Sequence, residues 1–273
     1  MRIAALDLGS NTSLCLIADV QDGVLGQIHY DETTVTKMGQ GVHANRMLHP
    51  EALGRLDECF AEYATAIRKF KAEKVVAVAT SAARDVKNAE ELMALGRKHG
   101  IPISIISGDK EAQLTFKGAL CDRPSTKGIA VIDVGGGSTE IISDQNGKPK
   151  GTSVDVGSVR LTELFIKSQP IPDGEMGQVV GYARAAFAKA PLPRENFSEI
   201  VAVAGTPTTL AAVEQHREFE EKLVHGFKLK LPVIEKWISQ MKTMTVDQRE
   251  ALPGMQPKRA DVIVTGSVIL AEA

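Results

Sequence analysis

The chain has 273 residues, 43% of them apolar, 4% aromatic and 24% charged, with a formal net charge of −2. That length suggests two domains or one large one, and the apolar share is ordinary for a soluble globular protein. The nearly neutral balance argues against electrostatic capture by DNA or a membrane surface, and the scarcity of aromatics argues against stacking on single-stranded nucleic acid. No apolar run reaches the ~20 residues of a membrane helix. The N-terminus, MRIAALDLGS, puts an acid inside a very short apolar run and is a strand rather than a signal peptide. Cys15, Cys59 and Cys121 lie far apart, match no metal spacing and imply reduced thiols in a cytoplasmic protein.

In chain order, strands are expected at residues 3–8, 14–20 and 25–30, followed by a polar, glycine-bearing loop at 33–45. His49-Pro50 opens a helix in which Leu53, Leu56, Phe60, Ala64 and Ile67 recur at helical spacing. Residues 74–80, KVVAVAT, form a buried strand with Ser81–Arg84 at its carboxyl end. Residues 89–99 form an amphipathic helix closed by Gly100. A strand at 101–107, a break at Gly108 and a helix at 109–120 with Asp109 near its N-cap follow. The stretch 123–128, with Pro124, reads as a linker, which places the domains at 1–124 and 125–273. The second half begins with strands at 129–134 and 140–143. Asn146-Gly147 is a hairpin turn, and 154–156 leads to Gly157 and a helix at 161–167. Helices at 173–189, 206–215, 231–241 and 257–271, a strand at 199–204 and a short strand after His225-Gly226 complete the pattern. Strands alternating with helices imply an α/β fold, with ligands at the carboxyl ends of strands.

The stretch at 129–140, IAVIDVGGGSTE, stands out. An apolar strand ends in Asp133 and runs into Gly135, Gly136, Gly137, Ser138 and Thr139. Such glycines let the chain bend tightly and present bare N–H groups to an anion, and an acid at the strand end can hold a divalent cation through oxygen. An isolated run of this kind is often only a hairpin. Here it recurs: IAALDLGSNTS at 3–13 sets Asp7 against Asp133 and Gly9 against Gly135, and VAVAGTPTT at 201–209 is a looser third echo. The repeat suggests two similar halves, each offering a phosphate-friendly bend to a shared cleft.

These residues resemble a known family. DLGSNT, TSAARD at 80–85, ISGDKEAQLTF at 106–116, VIDVGGGSTE at 131–140, GSVRLTE at 157–163, AGTPTTLA at 204–211, VHGF at 224–227 and RADVIVTGSVIL at 259–270 look like the exopolyphosphatase/guanosine pentaphosphate phosphohydrolase (Ppx/GppA) family, in order along nearly the whole chain. The resemblance implies two duplicated actin-like (ribonuclease H-like) α/β domains flanking a phosphate-binding cleft. It also implies Mg²⁺-dependent hydrolysis of a terminal phosphoanhydride in polyphosphate or guanosine pentaphosphate, and possible homodimers. The family's catalytic glutamate, in its SG-x-x-E motif, falls on Glu111, where the alternative role is to complement a helix N-terminus. Asp133, Glu140 and Asp7 fall on metal positions, or else cap turns. Gly9, Ser10, Asn11 and Thr12, with Gly135, Gly136, Gly137 and Ser138, fall on phosphate-gripping turns. Arg84 falls on the arginine of the T-x-x-x-R motif, suited to bidentate phosphate contact or to a surface ion pair. Arg160, His225 and Arg259 also sit on family motifs. Lys110 and Gln113 stand where members often carry an acid and an arginine, and a final segment common in the family is absent from the chain. Those departures motivate an alternative function, a catalytically weak or inactive nucleotide- or alarmone-binding sensor on the same fold.

Overall fold

The computed structural model describes residues 1–145, 148–193 and 196–273, which form two compact units, Met1–Ser107 and Gly108–Ala273. The first contains β1 (Arg2–Leu8), β2 (Thr12–Gln21), β3 (Val24–Val35), α1 (Val42–Asn45), α2 (Pro50–Lys69), β4 (Lys74–Ala79), α3 (Ser81–Asp85), α4 (Ala89–His99) and β5 (Ile103–Ile105). The sheet order is β3-β2-β1-β4-β5, with β1 antiparallel to β2 and parallel to β4. Its core lies on one face, where Leu56, Phe60 and Tyr63 of α2, spaced for one side of a helix, meet Ala4, Leu6, Leu8, Cys15 and Ile17. The buried Tyr63 hydroxyl donates to the Ser13 carbonyl at 2.7 Å, tying α2 to the strand that leaves the first glycine bend.

The second unit contains α5 (Gly108–Ala119), β6 (Ile129–Val134), β7 (Thr139–Gln145), β8 (Lys148–Val154), α6 (Ser158–Phe165), α7 (Asp173–Lys189), β9 (Glu199–Val203), α8 (Gly205–Glu214), α9 (Glu221–Val224), α10 (Leu231–Met241), α11 (Val246–Glu250), a 3₁₀ turn at Pro257–Arg259 and α12 (Ile263–Glu272). Its sheet order, β8-β7-β6-β9, has the pairing senses of the first four strands of unit one. Both faces of this sheet are covered. Ile132, Val134 and Ile141 face a core shared with residues of α6, α7, α8, α10 and α12. Ile129, Val131 and Ile142 face Ala112, Phe116 and Leu120 of and just after α5. The period-two alternation of a strand therefore assigns Asp133 and Glu140 to the α5 side.

Several expectations change. The division between units falls before α5 rather than at 123–128, because the apolar stripe of α5 is buried against β6 and β7. The helix starts at Gly108, so Asp109 lies in its first turn. Strand β3 runs on to Val35, and β8 occupies residues where no strand was expected. No strand follows His225-Gly226 among the described residues, and the last helix starts at Ile263 after the 3₁₀ turn. The third echo is not a third bend: β9 pairs with β6 in parallel, as β4 does with β1, and runs directly into α8. The Asn146-Gly147 turn lies outside the described residues.

Replacing Tyr63 by Phe removes a buried donor and strips the Ser13 carbonyl of that partner. The urea unfolding midpoint should fall by an amount equivalent to about 1–2 kcal/mol, with no change in the cooperativity of the transition.

Candidate active site

The repeat is a structural one. In the first unit the Gly9 N–H donates to the Thr12 carbonyl at 2.9 Å, and in the second the Gly135 N–H donates to the Ser138 carbonyl at 3.0 Å, closing the same bend. Both glycines ease the bend, since a Cβ would stand 3.0 Å and 2.9 Å from those two carbonyl oxygens, closer than side chains ordinarily pack. The second bend is braced from behind by α6. The backbone N–H groups of Ser158, Val159 and Arg160 donate to the carbonyls of Gly135 and Gly136, and Arg160 Nε donates to the Gly137 carbonyl at 2.7 Å. A Cβ on Gly157 would fall 2.4 Å from the Gly136 oxygen, so the brace depends on that glycine. In these bonds the bend contributes carbonyls, while the N–H groups of Gly136 and Gly137 take no part in them.

Beside this bend lies a carboxylate cluster. Asp133 and Glu140 are direct cross-strand partners on β6 and β7. Glu140 is 1% exposed, and its Oε1 accepts from Ser138 Oγ at 2.8 Å and from Ser153 Oγ of β8 at 2.6 Å. On α5, Glu111 and Thr115 are one turn apart, next to the buried Ala112 and Phe116, and Thr115 Oγ1 donates to Asp133 Oδ2 at 3.4 Å. Close approach of α5 follows from small residues: a Cβ on Gly151 would lie 2.9 Å from the Ala112 Cβ, and one on Gly108 2.9 Å from the Ser153 Cβ. Lys110 and Gln113 lie on the exposed side of the helix.

The electrostatics are adverse. Burial first, and then the Glu111 charge, pushes the Asp133 carboxyl up to about 6. Burial, Glu111 and Asp133 together push the Glu140 carboxyl up to about 8, against the downward pull of the Ser153 and Ser138 hydroxyls. Asp133 and Glu140, desolvated together beside the Glu111 charge, cannot both ionise cheaply, so the pair holds a proton into the neutral range. Among the described residues, no group of three or more His, Cys, Asp or Glu side chains is arranged as a ready cation site.

The expected site residues thus fall into two sets. Glu111, Asp133, Glu140 and the Gly135–Ser138 bend come together in the second unit. Asp7, the Gly9–Thr12 bend and Arg84 belong to the first. There Asp7 is exposed and sits opposite Leu14 and Val78 in the sheet. The Asn11 carbonyl accepts from the N–H groups of Thr36 and Lys37 at 3.1 and 2.9 Å, while its own buried amide Oδ1 and Nδ2 have no hydrogen-bond partner among the described residues. Arg84, on α3, gives Nη1 to the Ile106 carbonyl at 3.0 Å. Arg259 is bonded through Nε to Gln256, with its guanidinium against Gly205 at the start of α8, and His225 pairs with Asp122 at 2.9 Å. Thr115, Ser153 and Gly157 were not singled out from sequence, although Gly157 stands inside the GSVRLTE motif.

Two α/β units that share one strand order, each with the same glycine bend, give the chain the duplicated architecture of the actin-like class. A model of the Ppx/GppA phosphatase family matches residues 16–273, and the chain belongs to that family. Exopolyphosphatase 2 of Mycobacterium tuberculosis is 35% identical, over 99% of this chain and 89% of its own length. The guanosine-5'-triphosphate,3'-diphosphate pyrophosphatase of Pseudoalteromonas translucida is 28% identical over 98% of this chain, which spans 53% of that relative. The crystal structure of the Aquifex aeolicus family member superposes with a TM-score of 0.80 at 30% identity, covering 100% of this chain and 89% of that one.

The raised carboxyls carry a sign for stability. Between the ordinary carboxylate range near 4 and about 8, the folded protein binds protons that the unfolded chain has released. The stabilisation this pair contributes should therefore be fully present below that range and be lost as pH rises through it, by up to about 1.4 kcal/mol per pH unit for each proton retained. Chemical unfolding without divalent cations, from pH 4 to 8, checks this; the decline should be shallower in Asp133→Asn.

Proposed function

We propose that this chain hydrolyses the terminal phosphoanhydride of inorganic polyphosphate, of guanosine pentaphosphate, or of both, with Mg²⁺. The observation that carries the proposal is the convergence of Glu111 on Asp133 and Glu140 next to the Gly135–Ser138 bend. Phosphoryl transfer to water asks little covalent chemistry of a protein: a positioned water, fixed phosphate oxygens and cancelled charge. Glu111, on the first turn of α5, orients the water and accepts its proton. The backbone N–H groups of Gly136 and Gly137 and the Ser138 hydroxyl hold phosphate oxygens, and their bend is kept from shifting by α6 behind it. Within the first unit, Gly9, Ser10, Asn11, Thr12 and Arg84 are the phosphate-binding residues of the same reading. The unmatched buried amide of Asn11 supports that role, since buried polar groups seldom go without a partner.

The donor set suits magnesium. Asp133 and Glu140 offer only oxygen, and their burial beside the Glu111 charge, which raises both carboxyl pKa values, is a cost that a divalent cation relieves. Asp133 and Glu140 would hold it, largely through water, with Asp7 at the matching position of the first unit. When bound, the cation neutralises charge on the phosphoryl oxygens. The names of the relatives support both substrates, polyphosphate through the M. tuberculosis protein and guanosine polyphosphate through the P. translucida one.

The test is phosphate release from polyphosphates of graded length and from guanosine pentaphosphate, with and without Mg²⁺. The wild type should release phosphate only with the cation. Glu111→Gln should lose about 10²–10⁴-fold in kcat with a melting temperature at or above that of the wild type. Equal rates would remove Glu111 from the mechanism. Tight calorimetric binding of guanosine polyphosphates with no turnover would favour the sensor function instead.

A further inference from the structure

The geometry points to Ser153 as a positioning residue that sets the orientation of the Glu140 carboxylate and the seat of the helix turn bearing Glu111. The inference rests on the assignment of Glu111, Asp133 and Glu140 as the reacting cluster.

Two hydroxyls, from different strands, meet the same oxygen of Glu140. Ser138 approaches Oε1 from the glycine bend at 2.8 Å, and Ser153 approaches it from β8 at 2.6 Å. Neither meets Oε2. Pinning one oxygen from two directions fixes the rotation of the carboxylate about its last bond, which a single hydrogen bond does not. The other oxygen is then held at one bearing relative to Asp133, its direct cross-strand neighbour. Ser138 travels with the bend, so it alone would let Glu140 follow any movement of the phosphate grip. Ser153 anchors the carboxylate to a different strand.

Ser153 has a second contact that a simple hydrogen-bond donor would not need. Its Cβ and Oγ face Gly108, the first residue of α5, where an added Cβ would come within 2.9 Å and 3.2 Å of them. Gly151, two residues earlier on the same face of β8, meets Ala112 of α5 in the same way. The helix that carries Glu111 is thus seated on β8 by two glycine contacts, and one involves the side chain that holds Glu140. A loose seat at this point displaces the carboxylates relative to one another, and errors of about 1 Å in such constellations cost about a hundredfold in rate.

Removing the hydroxyl should act on the chemical step rather than on substrate capture, since Ser153 itself does not touch substrate. Ser153→Ala should lower kcat for phosphate release by about 10- to 100-fold and leave KM within about twofold, in a protein that still unfolds cooperatively although the buried Glu140 carboxyl has lost a donor. Ser153→Thr, which keeps the hydroxyl, should recover most of kcat. A crystal structure of Ser153→Ala should show the Glu140 carboxylate rotated away from its wild-type bearing, a readout that does not depend on turnover. The inference is overturned if Ser153→Ala retains wild-type kcat, if Ser153→Thr is as impaired as Ser153→Ala, or if the Glu140 carboxylate keeps its bearing without the hydroxyl. The broader reading fails separately, when the wild type releases no phosphate or Glu111→Gln retains full activity; the orientation of Glu140 in the Ser153→Ala crystal still decides the role of Ser153 in either case.

Discussion

Two acids directly opposite each other on neighbouring antiparallel strands repel, and burying them makes the repulsion worse. Asp133 and Glu140 are such a pair, and α5 adds a third acid, Glu111, above them. The surroundings of these three side chains accommodate that conflict. Ser138, Ser153 and Thr115 aim hydroxyls at the carboxylates. Gly108 and Gly151 let α5 come close enough to bury the group, and Gly157 lets α6 hold the adjoining bend. An arrangement kept for stability alone would have placed apolar side chains there, as it does at the adjacent Ile132 and Ile141 on the opposite face of the same strands.

The two units share a bend but treat its acid differently. In the second, the face of the sheet bearing Asp133 is covered by α5. In the first, the corresponding face bears an exposed Asp7 together with Leu14 and Val76, which are 38% and 41% exposed. Desolvation, the largest cause of the raised carboxyls, therefore acts on Asp133. Duplicated motifs can thus diverge in chemistry through what packs on them, while their backbone hydrogen bonds stay the same.

The bends, the strand alternation and the acid positions were legible because each is written in consecutive residues: Asp133, three glycines and two hydroxyls leave few other foldings. Glu111 became a candidate through the motif around it and not through helix periodicity, which marks it only as one acid in a first turn. Strand β8 was missed since KPKGTSV mixes lysines, a proline and a glycine and shows no apolar alternation. Ser153 went unseen with it, as did Thr115, whose partner lies on another element. The unit boundary was placed at a proline-bearing stretch, a sound local signal, but the stripe Ala112, Phe116 and Leu120 does not say which sheet it will cover. Such pairings are long-range, and a single sequence does not display them.

The central claim is that adverse burial of acids is retained for chemistry, so removing one charge while keeping its shape separates stability from function. Glu140→Gln does this, because the amide oxygen still accepts from Ser138 and Ser153. Melting temperature without divalent cations and phosphate release with Mg²⁺ should be measured on the same preparations at pH 8. The account predicts a higher melting temperature than wild type together with loss of phosphate release. A lower melting temperature with wild-type turnover would contradict it.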